Sequence, residues 1–251
     1  MLLWVCLLVV PVLLLFTDSF KYIYSCYKLK RGDRMLTNIK AAIFDLDGTL
    51  IDSMWVWGKI DEDYFKKRNM DLPLNLKSQI EHLSFDDTAA YFKSNFGILD
   101  TIEEIKKEWF DFAYVEYLNN VKLKPGVIEF LSLLKTMNIK IGLATSNNKA
   151  LLETVLQANG IYHYFDSITL TNEVCRGKDF PDVYLLAAEK LGVNPVECIV
   201  FEDILPAVKG AKAAGMKVVG VYDDFSKEQR EDIINHSDMY IIEYHELTTA
   251  I

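Results

Sequence analysis

Two aspartates one residue apart, Asp45 and Asp47, end the apolar run in "AIFDLDGTLIDS", residues 42–53. Like charges at that spacing repel, and a buried strand gains nothing from them. A divalent cation makes clustered acids favourable, and a carboxylate can also accept a phosphoryl group as a nucleophile. Three more stretches put polar residues at or just past the end of an apolar run. Thr145, Ser146 and Asn147 end "IKIGLATSN", Lys178 comes a few residues after "DSITL", and Glu202 and Asp203 follow "CIVF".

Each of these has a plainer reading. "TSNN" suits a turn and a helix N-cap. A lone lysine after a glycine is commonly a solvated side chain, and an acidic pair at a helix start suits the helix dipole. Together the plain readings lose force, because all four stretches fall on one edge of the expected sheet. As a set they are complete for phosphoryl transfer. Asp45 and Asp203, with Glu202 close by, offer the hard oxygens that Mg²⁺ takes. Thr145 and the backbone N–H groups after it, through Ser146 and Asn147, can hold phosphoryl oxygens at a helix N-terminus. Lys178 can neutralise the charge that spreads over those oxygens in the transition state. That leaves Asp47 for moving a proton to the leaving oxygen and then from water. "CRGKD" lacks the upstream glycine and the Ser/Thr of a nucleotide P-loop.

The elements that must position these residues alternate. Short buried-strand patterns occur at 40–45, 139–145, 166–170, 198–203 and 217–223, and amphipathic helical patterns lie between them at 126–137, 148–159, 181–191 and 206–214. Alternation of this kind predicts parallel βαβ units in an α/β, Rossmann-like, doubly wound parallel sheet, with ligands beyond the carboxyl ends of the strands. Residues 54–121 break the alternation with helical spacing alone (Trp57, Ile60, Tyr64, then Ile102, Ile105, Trp109), which predicts an inserted all-α cap subdomain over the site. The catalytic core is then expected over 35–53 and 122–251. Trp55, Trp57, Tyr64, Tyr91 and Trp109 are candidates to line the cap, although packing accounts for such aromatics more readily.

The 251 residues are half apolar and a quarter charged, which fits a globular chain with a net charge of −9. That charge argues against nucleic acid as a partner. The 4 cysteines form no CxxC and the 4 histidines no HExxH, so neither a disulfide framework nor a zinc site is indicated. Residues 1–34 stand apart: the first 16 carry no charged side chain, and lysines and arginines come after them. Two expectations attach to them. One is a single-pass membrane tether that leaves the catalytic domain in the cytoplasm. The other is a mis-assigned start, with Met35 as the first residue.

The chain from Lys40 to about Tyr222 resembles the haloacid dehalogenase-like phosphohydrolases, in the beta-phosphoglucomutase-like branch with a helical cap. "FDLDGTLIDS", "LATSN", "GKDFPD" and "VFEDILPAVKGAKAAGM" look like that family's four ordered motifs. The resemblance implies Asp45 as nucleophile, Asp47 as general acid/base, and Thr145 and Lys178 as phosphate binders. It implies Asp45, the Asp47 carbonyl and Asp203 as Mg²⁺ ligands. Asp179 stands where the family often has proline, and Ile204 and Ala207 where serine and glycine are usual. Trp57 occupies the position of the mutases' cap histidine, and the cap's one arginine, Arg68, sits in no Arg-Gly-x-Ser-Arg motif. The second aspartate disfavours a dehalogenase, and no cap lysine (Lys59, Lys66, Lys67) is marked for a Schiff base.

The expectation is therefore a Mg²⁺-dependent phosphatase acting on a small phosphorylated metabolite through an aspartyl phosphate. A sugar-phosphate mutase and a receiver-like phospho-acceptor module are the alternatives. Trp57 is the one weak pointer to cap specificity, and no feature fixes the oligomeric state.

Overall fold

The computed structural model describes residues 35–248. Six strands, β1 (Ala41–Phe44), β4 (Lys140–Thr145), β5 (Ser167–Leu170), β6 (Cys198–Glu202), β7 (Lys217–Val221) and β8 (Met239–Ile241), form one sheet. Its order is β5-β4-β1-β6-β7-β8 and every pairing is parallel. Five of these strands coincide with the apolar runs of the sequence. β1, β4, β6 and β7 are covered on both faces and read as near-continuous apolar runs, which is why they were visible, while β5 is a half-buried edge strand. β8 carries three residues, too few for a pattern.

Helices α5 (Val127–Thr136), α6 (Lys149–Ala158), α7 (Asp182–Leu191), α8 (Leu205–Ala213), α9 (Arg230–His236) and α10 (His245–Thr248) flank the sheet. Two apolar clusters divide its faces. Phe44, Phe130, Phe201 and Tyr244 lie in one, and Tyr184, Val200 and Val208 in the other. The Phe44 and Phe201 rings stack 4.5 Å apart across neighbouring strands, locking β1 to β6 just before each strand delivers its acids. β1 lies between β4 and β6, so connections leave it toward both halves of the sheet. A crevice opens at such a switch point, beyond the carboxyl ends of the strands.

Four helices, α1 (Met54–Lys67), α2 (Leu76–Ile80), α3 (Phe85–Asn95) and α4 (Ile102–Asn119), are inserted after β1. The chain enters and leaves this cap through a two-stranded antiparallel ribbon, β2 (Ile51–Asp52) against β3 (Lys122–Leu123). A capping box fixes the start of α4: the Thr101 side chain accepts from the Glu104 N–H, and the Glu104 carboxylate accepts from the Thr101 N–H. Edge-to-face aromatic pairs among Tyr64, Phe65, Phe92, Phe96 and Trp109 fill the cap interior. Arg68 is spent on structure. Its guanidinium stacks 3.5 Å from the Tyr64 ring centroid, bonds Glu108 at 3.0 Å and pairs with Asp100.

The expectation of an N-terminal membrane tether ahead of a cytoplasmic domain is corrected. No helix among the described residues is long and apolar enough to cross a membrane. Residues 1–34, on which both the tether and the mis-assigned start were read, lie outside the described residues.

Candidate active site

The strand ends bring the four stretches together. Asp45 comes directly after β1, and its N–H donates to the Phe201 carbonyl of β6 at 3.0 Å. Glu202 ends β6 and Asp203 is next. Carboxylate oxygens of Asp45, Glu202 and Asp203 all lie within 4.8 Å of one another, and all three residues are buried. Gly48 makes room for this approach. Its φ of +80° is open to glycine, and a Cβ there would lie 2.3 Å from an Asp203 carboxylate oxygen. The Thr49 hydroxyl donates to the other Asp203 oxygen at 3.0 Å.

Lys178 sits inside the acidic ring. Its ammonium donates to Asp45 and, at 2.6 Å, to Glu202 Oε1, which also accepts from the Tyr184 hydroxyl at 2.8 Å. Gly210 on α8 lets the Lys178 loop approach closely, since a Cβ at that position would meet the Lys178 carbonyl at 2.0 Å. One lysine does not balance three buried acids. Burial pushes the Asp45 carboxyl up to about 7 even with the Lys178 ammonium beside it, and Glu202 and Asp47 add repulsion. Burial, then the charges of Asp45 and Glu202, push Asp203 well above the usual carboxylate range. Glu202 Oε2 is buried with no hydrogen-bond partner. An unmet carboxylate oxygen beside two strained acids fits a hard divalent cation.

Asp47 is held quite differently. Oδ1 accepts from the Ser53 hydroxyl at 2.6 Å and from the Tyr117 hydroxyl, with the Trp57 indole N–H 3.4 Å away. Oδ2 accepts from the Asn147 amide at 2.7 Å. Trp57 and Asn147 also donate to the Tyr117 oxygen, at 2.8 and 3.1 Å. Burial and the neighbouring Asp47 charge raise the Tyr117 hydroxyl well above 10, so it stays a proton donor. Asn147 was expected to hold phosphate with the N–H groups of its loop, and its side-chain amide also orients Asp47. Thr145 Oγ1 accepts from the Asn147 N–H at 3.1 Å, and the buried Ser146 hydroxyl has no partner.

The matched family model is the haloacid dehalogenase-like hydrolase, over residues 42–221. The chain belongs to the haloacid dehalogenase-like hydrolases. It is 31% identical to the phosphorylated carbohydrates phosphatase of Thermotoga maritima, over 73% of this chain and 85% of that one. It is 30% identical to the beta-phosphoglucomutase of Bacillus subtilis, over 73% and 83%. The crystal structure of CbbY from Rhodobacter sphaeroides in complex with phosphate superposes with a TM-score of 0.74 at 20% identity, covering 83% of this chain and 96% of that one. The fold and the enzyme class, a phosphohydrolase, derive from this membership.

Tyr117, Ser53 and Tyr184, which donate to the site's carboxylates, are the residues that sequence reasoning missed. Ser53 stands inside the opening motif, at the end of the expected core segment 35–53. Tyr117 lies 70 residues from Asp47 on the apolar stripe of α4, where spacing marks it only as core. Of the aromatic candidates, Trp57 and Trp109 line the pocket above the acids. Tyr64 is buried in the cap interior, Tyr91 packs against Phe96, and Trp55 is exposed.

Proposed function

We propose that this chain is a Mg²⁺-dependent phosphatase that hydrolyses a small phosphomonoester through an aspartyl phosphate. One observation carries the reading: two carboxylates one residue apart have opposite surroundings. Asp45 lies among acids and the Lys178 ammonium, and Asp47 lies among hydrogen-bond donors. The first arrangement suits a nucleophile and the second a proton carrier. Asp45, Glu202 and Asp203 would hold Mg²⁺, with the Asp47 carbonyl as the resemblance implies. The bound ion would offset charge on the acids and on the transferring phosphoryl group.

An Asp45 carboxylate oxygen attacks phosphorus, the P–O bond to the leaving group breaks, and Asp47 gives its proton to the departing oxygen. Asp47 then takes a proton from water as that water attacks the aspartyl phosphate. Phosphate leaves and the Asp45 carboxylate returns. The unpartnered Ser146 hydroxyl, the Thr145 loop and Lys178 receive the phosphoryl oxygens. The helical cap over 54–121 excludes bulk water from this chemistry.

A sugar-phosphate mutase is the second reading, favoured by the Bacillus subtilis relative. It has less support from the cap, whose one arginine is spent on Asp100, Glu108 and Tyr64. A receiver-like module has still less, because a lid over Asp45 would obstruct docking. The test is phosphate release from a panel of phosphomonoesters, with and without Mg²⁺, and acid-quenched trapping of ³²P on the protein. Turnover that persists after chelation removes the metal assignment. Stable labelling without turnover favours the receiver, and isomer exchange without free phosphate favours the mutase.

A further inference from the structure

Asp61 lies on α1, half-buried in the wall of the pocket that rises from Asp45 into the cap. Among the described residues nothing hydrogen-bonds to its carboxyl or pairs with it, although burial pushes it up to about 7. The other lining acids outside the reacting cluster are satisfied: both Glu81 oxygens accept from the Gln229 amide, at 2.9 Å each. The lining cations are committed too. Lys178 is bound to Asp45 and Glu202. Lys77 donates to the Phe225 carbonyl and lies 4.2 Å from the Phe225 ring centroid. Around Asp61 the wall is apolar and aromatic, with Trp57, Ile60, Phe85, Trp109 and Phe225.

A half-buried carboxylate in a pocket wall, without a protein partner, can take a donor from a bound molecule, and a charge-assisted bond to an ammonium is the strongest one available. Aromatic faces add attraction for a cation and none for an anion. No uncommitted lysine or arginine on the described pocket wall would receive a second phosphate or a carboxylate. We propose that Asp61 is a specificity-determining residue of the cap that selects phosphomonoesters with an ammonium-bearing leaving group over hydroxylated ones, and rejects leaving groups that carry a second acid. This rests on the phosphatase reading above.

The experiment uses ω-amino-, ω-hydroxy- and ω-carboxyalkyl phosphates with chains of about two to six carbons, a scan that finds the reach from Asp45 to Asp61. p-Nitrophenyl phosphate reports the chemistry alone. Assays run at pH 8 with Mg²⁺ on the full chain and on Asp61→Asn. At the best chain length, kcat/KM is expected to fall at least about tenfold from amine to hydroxyl and again to acid, as one charge-assisted bond implies. Asp61→Asn should erase the amine preference and raise the acid, while p-nitrophenyl phosphate turnover stays within about threefold. An unchanged order in the variant, or an equal loss on every substrate, overturns the assignment. If the wild-type chain releases phosphate from none of them, the phosphatase reading fails separately. Binding isotherms for the amine and hydroxyl esters then decide on Asp61: a preference lost in the variant supports the role, and equal affinities overturn it.

Discussion

The two ends of the pocket are built on opposite plans. At the floor, the acids, the lysine and the tyrosines form a dense polar network, and Glu202 Oε2 and Ser146 Oγ are buried in it without partners. In the cap wall, aromatic edges pack against one another around a single unpartnered acid. Each floor residue has one geometric duty that few other residue types can perform. The wall has to exclude water and fit a leaving group, which many apolar combinations do. Chemistry is therefore concentrated in a few positions, and the shape of the wall is spread over many, with Asp61 as the unpartnered acid among them.

The sharpest way to break this contrast is at the floor. Asp45→Asn should lower kcat by at least about 10⁴-fold while circular dichroism and Tm stay near wild type, because the amide keeps the shape and loses the nucleophile. Asp47→Asn should cost about 10²- to 10⁴-fold on alkyl esters and clearly less on p-nitrophenyl phosphate, whose leaving group needs no proton. Equal losses on both substrates would remove Asp47 from proton transfer. Tyr117→Phe deletes one hydroxyl donor to Asp47 from α4. The expected drop in kcat is about tenfold with KM nearly constant, in line with a hydrogen bond to a charged group. A change in KM alone would make Tyr117 part of the wall instead.

The wall gives the smallest effect, and its sign is the informative part. Burial raises Asp61 from 3.8 to about 7 in the folded chain. The native state then holds this proton more tightly than the unfolded chain does. The carboxyl's contribution to stability falls as pH rises from about 4 to about 7, and above that the folded chain bears the full cost of an ionised, unpartnered acid. Asp61→Asn does not titrate. It should match wild type in Tm near pH 4 and exceed it by a few degrees at pH 8, about 1–2 kcal/mol after allowance for partial exposure. Thermal melts across that range check it, and a variant that melts lower at pH 8 would show that the carboxylate has a partner after all.

The same contrast governs how much could be read from the sequence. Asp45, Lys178, Glu202 and Asp203 were visible because each comes after an apolar run, and the end of a buried strand delivers the next polar residues into the crevice. β1, β4, β6 and β7 were visible for the related reason that double-sided burial leaves few polar interruptions, whereas β5, a half-buried edge strand, shows only as a short run with β propensity. Tyr117 was not visible, because its duty depends on the fold bringing α4 to Asp47 past the end of β1, and its stripe of Ile105, Trp109 and Ala113 says only that this face is buried. Asn147 was placed in the right loop, and only the fold shows that its side-chain amide turns toward Asp47. The β2–β3 ribbon has two residues on each strand and leaves no periodicity to find.

Beside the side-chain bonds at Asp47 and Glu81, two of the cap's joints to the floor are main-chain bonds. The Phe85 N–H donates to the Ser146 carbonyl at 3.2 Å, and the Lys178 N–H donates to the His82 carbonyl at 3.3 Å. Peptide groups are common to all residue types, so these two joints do not depend on which side chains occupy positions 82 and 85. The lining next to them can accumulate substitutions while the lid keeps its seat on the Ser146 and Lys178 loops. A scaffold joined in this way separates inheritance of the reaction from drift in what it acts upon, and it can acquire a new substrate without first losing its catalyst.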